Sequence, residues 1–387
     1  MKSKKKRILV VSAKWPYVSN STDGGDSTLN EIIRSLAREY LLDLFCFRND
    51  IDIQSKIEGV NNIIFYQEDF AMFKNYSLHN EEKFNVRLIQ AEIALNQIEK
   101  ISHQYDLIVV QHVMFLLKMQ NRYEILNKVI LYPMFTGTSY LKCGENVSRK
   151  YFNAEKEVIG KVKMIITPSS TEKEMLINDY HVMHEKIVVI PRPIKFKYQL
   201  RQQQSVQVIN LIYIASIRMQ KDHLKAMKLV KLIMDKGVNV ILNCVGAVQD
   251  KHIYEECIDF LENNKIEGNV IFHGNKSNEE LGKLIDKCDF NISVSRWETF
   301  GRGIYEGMTA GLPTIVLDSL ECITNAHDIN IYPCVVKNIE EMAEKVIEMI
   351  ESESYYKDES KKGELLEKKL GEEIICKKTY IQFKGML

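Results

Sequence analysis

Short apolar runs with strand character alternate with helix-spaced apolar positions along most of this 387-residue chain. That alternation points to an α/β fold with parallel sheets, because helical crossovers are what join parallel neighbours. Residues 7–12 read as a strand, and Leu29, Ile32, Ile33, Leu36, Ala37 and Tyr40 then follow helical spacing. Further strand runs are expected at 107–110, from 129, from 164, at 186–190, from 210, from 239 and from 269. A single core seldom exceeds about 250 to 300 residues, so two domains are expected.

Residues 294–313 constrain the chemistry most. They read as a half-buried strand, a glycine-rich turn through Gly301 and Gly303, and a short helix stopped by Gly311, with Pro313 just beyond. Such a turn aims free backbone N–H groups and the positive end of a helix dipole at one spot, a ready site for a phosphate. Glu298 before the helix and Glu306 within it can accept paired hydrogen bonds from vicinal diols on either side of that phosphate. A sugar nucleotide has that layout: sugar hydroxyls, diphosphate, ribose hydroxyls.

With Phe300-Gly301 after Glu298, seven residues between Glu298 and Glu306, and Ala310-Gly311-Leu312-Pro313 closing the helix, the segment resembles the signature of the retaining glycosyltransferases of family 4. The resemblance implies the GT-B fold, two Rossmann-like domains with parallel sheets facing a central cleft. It implies that Glu298 lies beside the donor sugar, that the Phe300 and Gly301 amides meet the sugar, that those of Arg302 and Gly303 meet phosphate, and that Glu306 holds the ribose. It covers 205–320 strongly and the N-terminal half loosely.

Arg218 and Lys221 fall between a strand end and a helix start, where two cations would stabilise the charge growing on a departing diphosphate in place of a metal ion. The family pattern, Arg-x4-Lys, fits Lys221 but puts Ser216 where Arg is expected, so Arg218 would have to reach back from two residues later. Gly246, Gly274 and Asn275 stand at the ends of two further strands, which in the family frame the base and ribose. Ser277 with Glu280 has capping-box spacing and starts a helix there.

The N-terminal half departs more from the family. Gly24 and Gly25 sit in a strand, glycine loop, helix order without Gly-x-Gly-x-x-Gly, and by resemblance face the donor phosphate or the acceptor. His112 follows a strand end, where ligands collect. The family's other histidine, after the next strand, is missing, which leaves His112, Thr136 or Thr138 as the sugar-facing group. Pro191-Arg192-Pro193-Ile194 replaces the family's Pro-Asn-Gly-Val-Asp turn, and the polar stretch 195–208 reads as a linker. The expected domains are 1–198, 205–368 and a helix at 369–387 that by resemblance returns to the first domain.

Composition excludes more than it selects. Lys plus Arg and Asp plus Glu both number 52, so net charge gives no reason to expect nucleic-acid binding. The eight cysteines are scattered, without Cys-x-x-Cys or histidines at zinc spacing, and read as reduced thiols in a cytoplasmic protein; no metal site is expected. Asp50-Ile51-Asp52 has the Asp-x-Asp form of a metal-holding transferase but follows no matching strand and reads as chance. No apolar run approaches the roughly 20 residues that span a bilayer. The basic start at 2–7 reads either as a solvated tail or as a contact for an anionic membrane surface at the inner face.

The expectation is therefore a retaining, metal-independent hexosyltransferase using a nucleoside-diphosphate sugar, UDP ahead of GDP, and no other cofactor. Its acceptor would be a glycan, a lipid-linked molecule or a small molecule, as in bacterial envelope polysaccharide synthesis. The alternatives are a non-catalytic partner subunit of the same fold and a UDP-sugar epimerase.

Overall fold

The computed structural model describes residues 5–12, 24–46, 58–65, 81–133, 135–201 and 207–387, the side chains at 24–27, 65 and 81–83 excepted. The described residues divide into two compact units. One runs to Pro191 and includes Cys376–Leu387; the other is Arg192–Ile375.

The first unit is built on seven parallel strands: β1 (Arg7–Ser12), β2 (Leu41–Cys46), β3 (Asn62–Phe65), β4 (Leu107–Val110), β5 (Val129–Leu131), β6 (Met164–Thr167) and β7 (Ile187–Val189). Their order is β3-β2-β1-β4-β5-β6-β7, with Val10 in register with both Leu44 and Val109. The second unit has six: β8 (Ile209–Ile214), β9 (Val240–Val245), β10 (Val270–Phe272), β11 (Phe290–Ser293), β12 (Thr314–Leu317) and β13 (Cys334–Val336), in the order β10-β9-β8-β11-β12-β13. Central strands such as Leu107–Val110 are buried at every position, as expected when helices cover both faces of a parallel sheet. Chain order reverses between β1 and β4 in one sheet and between β8 and β11 in the other. Ligands of open α/β sheets gather beyond the carboxyl ends at such reversals.

Local signals account for several boundaries. The helix His223–Asp235 buries Ala226, Leu229, Val230 and Ile233, the positions that helical spacing marks. Ser277 and Glu280 form a complete capping box on Asn278–Ile285.

Two expectations shift. Gly24 and Gly25 are the first residues of the helix Gly24–Leu36 rather than part of a loop ahead of it; first-turn N–H groups need no intrahelical acceptor, so glycine there leaves the ladder intact. The domain crossings fall at 191/192 and 375/376, not near 198 and 368. The described part of the stretch expected as a linker is tied to the second unit instead: Tyr198 N–H donates to Glu367 Oε2 (3.0 Å) and Arg201 N–H to Ser360 Oγ (3.1 Å), while just ahead of it Ile194 N–H donates to Leu370 O (2.8 Å). Gln202 to Gln204 and Asp50 to Asp52 lie outside the described residues.

Candidate functional site

The segments leaving β8 and β11 are fastened together at the second unit's chain reversal. Arg296 N–H donates to Gln220 O (2.8 Å), Gln220 Nε2 donates to Trp297 O (2.7 Å), and Arg296 Nε donates to Asp222 Oδ2 (3.1 Å). These ties bring Lys221 Nζ onto Glu298 Oε1. Both side chains are largely buried, at 11% and 14% exposure, so water screens the pair poorly. Burial holds the Lys221 ammonium below the usual lysine range and the Arg218 charge adds to that push, while the Glu298 carboxylate opposes it. Ser295 Oγ donates to the same Glu298 oxygen (3.0 Å), and Tyr213 Oη lies 2.8 Å from Ser295 Oγ while donating to Lys221 O (2.5 Å). Behind them His223 is fully buried with its ring 4.8 Å from that of Tyr213, and burial, with the Lys221 charge, lowers it to about 4.

The short helix Arg302–Thr309 starts beside this pair's strands. Gly301, at φ 75°, is its N-cap without a side-chain cap, so the Arg302 and Gly303 N–H groups have no intrahelical acceptor. A Cβ on Gly303 would come within 2.3 Å of Ile214 O; glycine is what lets the helix start against the end of β8. Phe300 packs its ring 4.9 Å from Tyr305. One turn in, Glu306 is 13% exposed and lies 3.5 Å from Arg302 Nε, whose Nη2 donates to Pro193 O (3.1 Å). Burial raises the Glu306 carboxyl above the usual range, and the Arg302 and Lys195 charges pull it back. The sequence reading assigned only backbone to Arg302; its four-residue spacing from Glu306 was the overlooked signal.

Gly246 and Gly274 are adjacent, the N–H of Gly246 donating to Gly274 O (3.0 Å), and a Cβ on Gly246 would strike Ala215 O at 2.2 Å. Asn275 follows as an exposed residue. Lys221, Arg218 and Glu298 are thus one cluster, 300–306 adjoin the end of β8, and Gly246 with Gly274 closes the ends of β9 and β10. Cys322 was not anticipated. Its thiol is buried and pushed well up by that burial and by the Glu298 charge.

Gly24, Gly25 and His112 belong to the first unit. His112 caps the turn Val113–Leu116, its Nδ1 accepting from Met114 N–H (3.0 Å). Thr136 is fully buried and caps the helix Gly137–Lys142 with its hydroxyl 3.0 Å from Ser139 Oγ. Thr138 is buried as well, its N–H donating to Tyr180 Oη (3.1 Å). Sequence reading missed the carboxylate behind that helix: Glu155 Oε2 accepts from Gly137 N–H (2.7 Å) and Tyr180 Oη (2.6 Å), and burial pushes Glu155 up to about 7.

Among the described residues no three His, Cys, Asp or Glu side chains group to hold a metal, and no helix is long and apolar enough to cross a membrane.

The two parallel-sheet Rossmann-like units match the GT-B structures of glycosyltransferases. Residues 199–365, the span that holds the Lys221–Glu298 pair and Glu306, match the family model described as glycosyl transferases group 1. The chain is 25% identical over 147 residues to an uncharacterized glycosyltransferase, MJ1178, of Methanocaldococcus jannaschii; this covers 35% of the chain and 41% of that relative. Among solved structures it is similar to the sucrose-phosphate synthase of Thermosynechococcus elongatus (TM-score 0.79, 15% identity, 99% of each chain). It is also similar to Anabaena Alr3699/HepE in complex with UDP and glucose (TM-score 0.73, 14% identity, 99% of this chain and 100% of that one). A third likeness is to a glycosyltransferase from Rickettsia africae (TM-score 0.71, 17% identity, 99% and 98%). At such identities the structural likeness establishes the fold.

Proposed function

We propose that this chain is a retaining hexosyltransferase of glycosyltransferase family 4, taking a hexose-type sugar from UDP in preference to GDP. The acceptor is a glycan, a lipid-linked molecule or a small molecule, within bacterial envelope polysaccharide synthesis. The observation that supports the reading best is the Lys221–Glu298 pair, held nearly dry at the β8/β11 chain reversal by hydrogen bonds between two loops.

In this reading Lys221 and Arg218 stabilise the charge that grows on the departing nucleoside diphosphate, the task a metal ion performs elsewhere. The Arg302 and Gly303 amides take phosphate oxygens. Glu298 orients the sugar and Glu306 accepts from the ribose diol. Substitution runs on the front face through an oxocarbenium-like state, the leaving phosphate helping to deprotonate the acceptor hydroxyl. The UDP preference draws on the UDP complexes of the Anabaena protein. The protein works in the cytoplasm; of its basic start, Lys6 and Arg7 pair with Asp106 and Asp43 of its own first unit.

The test is a thermal-shift panel of uridine, guanosine, adenosine and thymidine diphosphates and their common sugars, without added metal, on wild type and Glu306→Ala. UDP or UDP-sugars raise the melting temperature of wild type, by about 2.7 kcal/mol of added stability at a hundredfold excess over Kd, and fail to do so in the variant. A flat wild-type response to every nucleotide moves the assignment to a non-catalytic partner subunit, and interconversion of one UDP-sugar into another without acceptor marks an epimerase.

A further inference from the structure

Two buried hydroxyls stand beneath the loops of the nucleotide site at a level the charge pair does not reach. Tyr213, on β8, is fully buried; its hydroxyl donates to the backbone carbonyl of Lys221 (2.5 Å) and lies 2.8 Å from Ser295 Oγ. Ser295, just beyond β11 and fully buried, donates to Glu298 Oε1 (3.0 Å). Lys221 ends a turn, Met219–Lys221, and precedes Asp222, a non-glycine residue at φ 48°. Such a conformation persists where surrounding contacts over-determine it. The Tyr213 bond is one of those contacts, because it grips the main chain at the lysine itself.

We propose that Tyr213 and Ser295 are positioning residues of the donor site: Tyr213 sets where the Lys221 ammonium stands for the diphosphate, and Ser295 holds the Glu298 carboxylate that orients the sugar. The inference rests on the nucleotide-sugar reading above. Neither side chain touches the substrate. Tyr213 acts on the group that meets the diphosphate and not on those that meet base or ribose. Its loss therefore changes the discrimination between nucleoside diphosphate and monophosphate, which general loosening of the fold does not.

Calorimetric titration of UDP and UMP, metal-free, into wild type, Tyr213→Phe and Ser295→Ala tests this, with GDP and GMP used where the thermal panel selects guanosine. Tyr213→Phe keeps the ring and removes one hydroxyl, so UDP affinity falls about 5- to 10-fold, the range of one buried hydrogen bond, while UMP affinity stays within about twofold. Ser295→Ala leaves both affinities within about twofold but slows acceptor-independent hydrolysis of UDP-glucose about 5-fold, since it frees the carboxylate that orients the sugar. Equal weakening of UDP and UMP in Tyr213→Phe, or no weakening of either, overturns the inference for Tyr213. Unchanged hydrolysis in Ser295→Ala overturns it for Ser295, and that variant remains readable should Tyr213→Phe not fold. Wild type that binds diphosphate no better than monophosphate instead removes the reading on which the inference stands.

Discussion

The two sheets share one topology and use the space beyond their strand ends in opposite ways. In the second unit the loops after β8 and β11 point a cation and a carboxylate at one another, and an uncapped helix start adjoins them. In the first unit the described polar groups after β4 and β5 are spent on the protein itself. His112 caps a turn, Thr136 caps a helix, and Glu155 with Tyr180 holds the Gly137 and Thr138 amides. A shared fold provides a place for a site, and only the hydrogen-bond inventory of the loops tells whether their polar groups face a ligand or one another.

The largest expected effect breaks or sustains that contrast directly. Lys221→Ala removes the cation nearest the proposed diphosphate and strands Glu298; donor turnover should fall by 10² to 10³, about 2.7 to 4 kcal/mol, in a coupled assay of released UDP. A drop of less than tenfold would take the second unit's pair out of the chemistry.

Next comes Glu155, where stability rather than turnover should respond. Its folded pKa, about 7, lies above the ordinary 4.5 because burial penalises the carboxylate. The native state therefore binds this proton more tightly than the unfolded chain does. That stabilisation is complete below pH 4.5 and is lost as pH rises through 7, about 3 kcal/mol in all. Glu155→Gln should flatten this part of the stability curve between pH 5 and 7 in denaturant titrations. Its donor affinity should match wild type, and a tenfold loss of UDP binding would place Glu155 in a substrate site and erase the contrast between the units.

The smallest effect concerns Thr136. Loss of its cap in Thr136→Ala should cost about 1 kcal/mol of stability, read from the urea midpoint, with turnover unchanged. Turnover lowered without a change in the midpoint would return Thr136 to the sugar-facing role that its place after β5 suggested.

What was legible in the sequence was local. The alternation of strand and helix patterns, the Ser277–Glu280 capping box and the glycine turn ahead of Arg302 each depend on residues a few positions apart, and each has its element in the structure. Arg302 beside Glu306 was within reach of the same reasoning through its helical spacing. The pairing of Lys221 with Glu298 joins positions 77 apart and that of Tyr213 with Ser295 positions 82 apart. No spacing rule connects them; the order of strands in the sheet does. Glu155 was illegible for the same reason, since a glutamate in a helix reads as a solvated face until a tyrosine 25 residues away is folded over it.

The amino-acid sequence by itself determined the α/β class, the division into two domains and the glycine turn that starts the helix at Arg302, because backbone propensity, amphipathic period and turn chemistry act over a few residues. Only the tertiary structure decided which charges lose their water. Lys221, Glu298, Glu306 and Glu155 owe their environment to strands and helices brought together from distant parts of the chain, and burial is a property of that assembly.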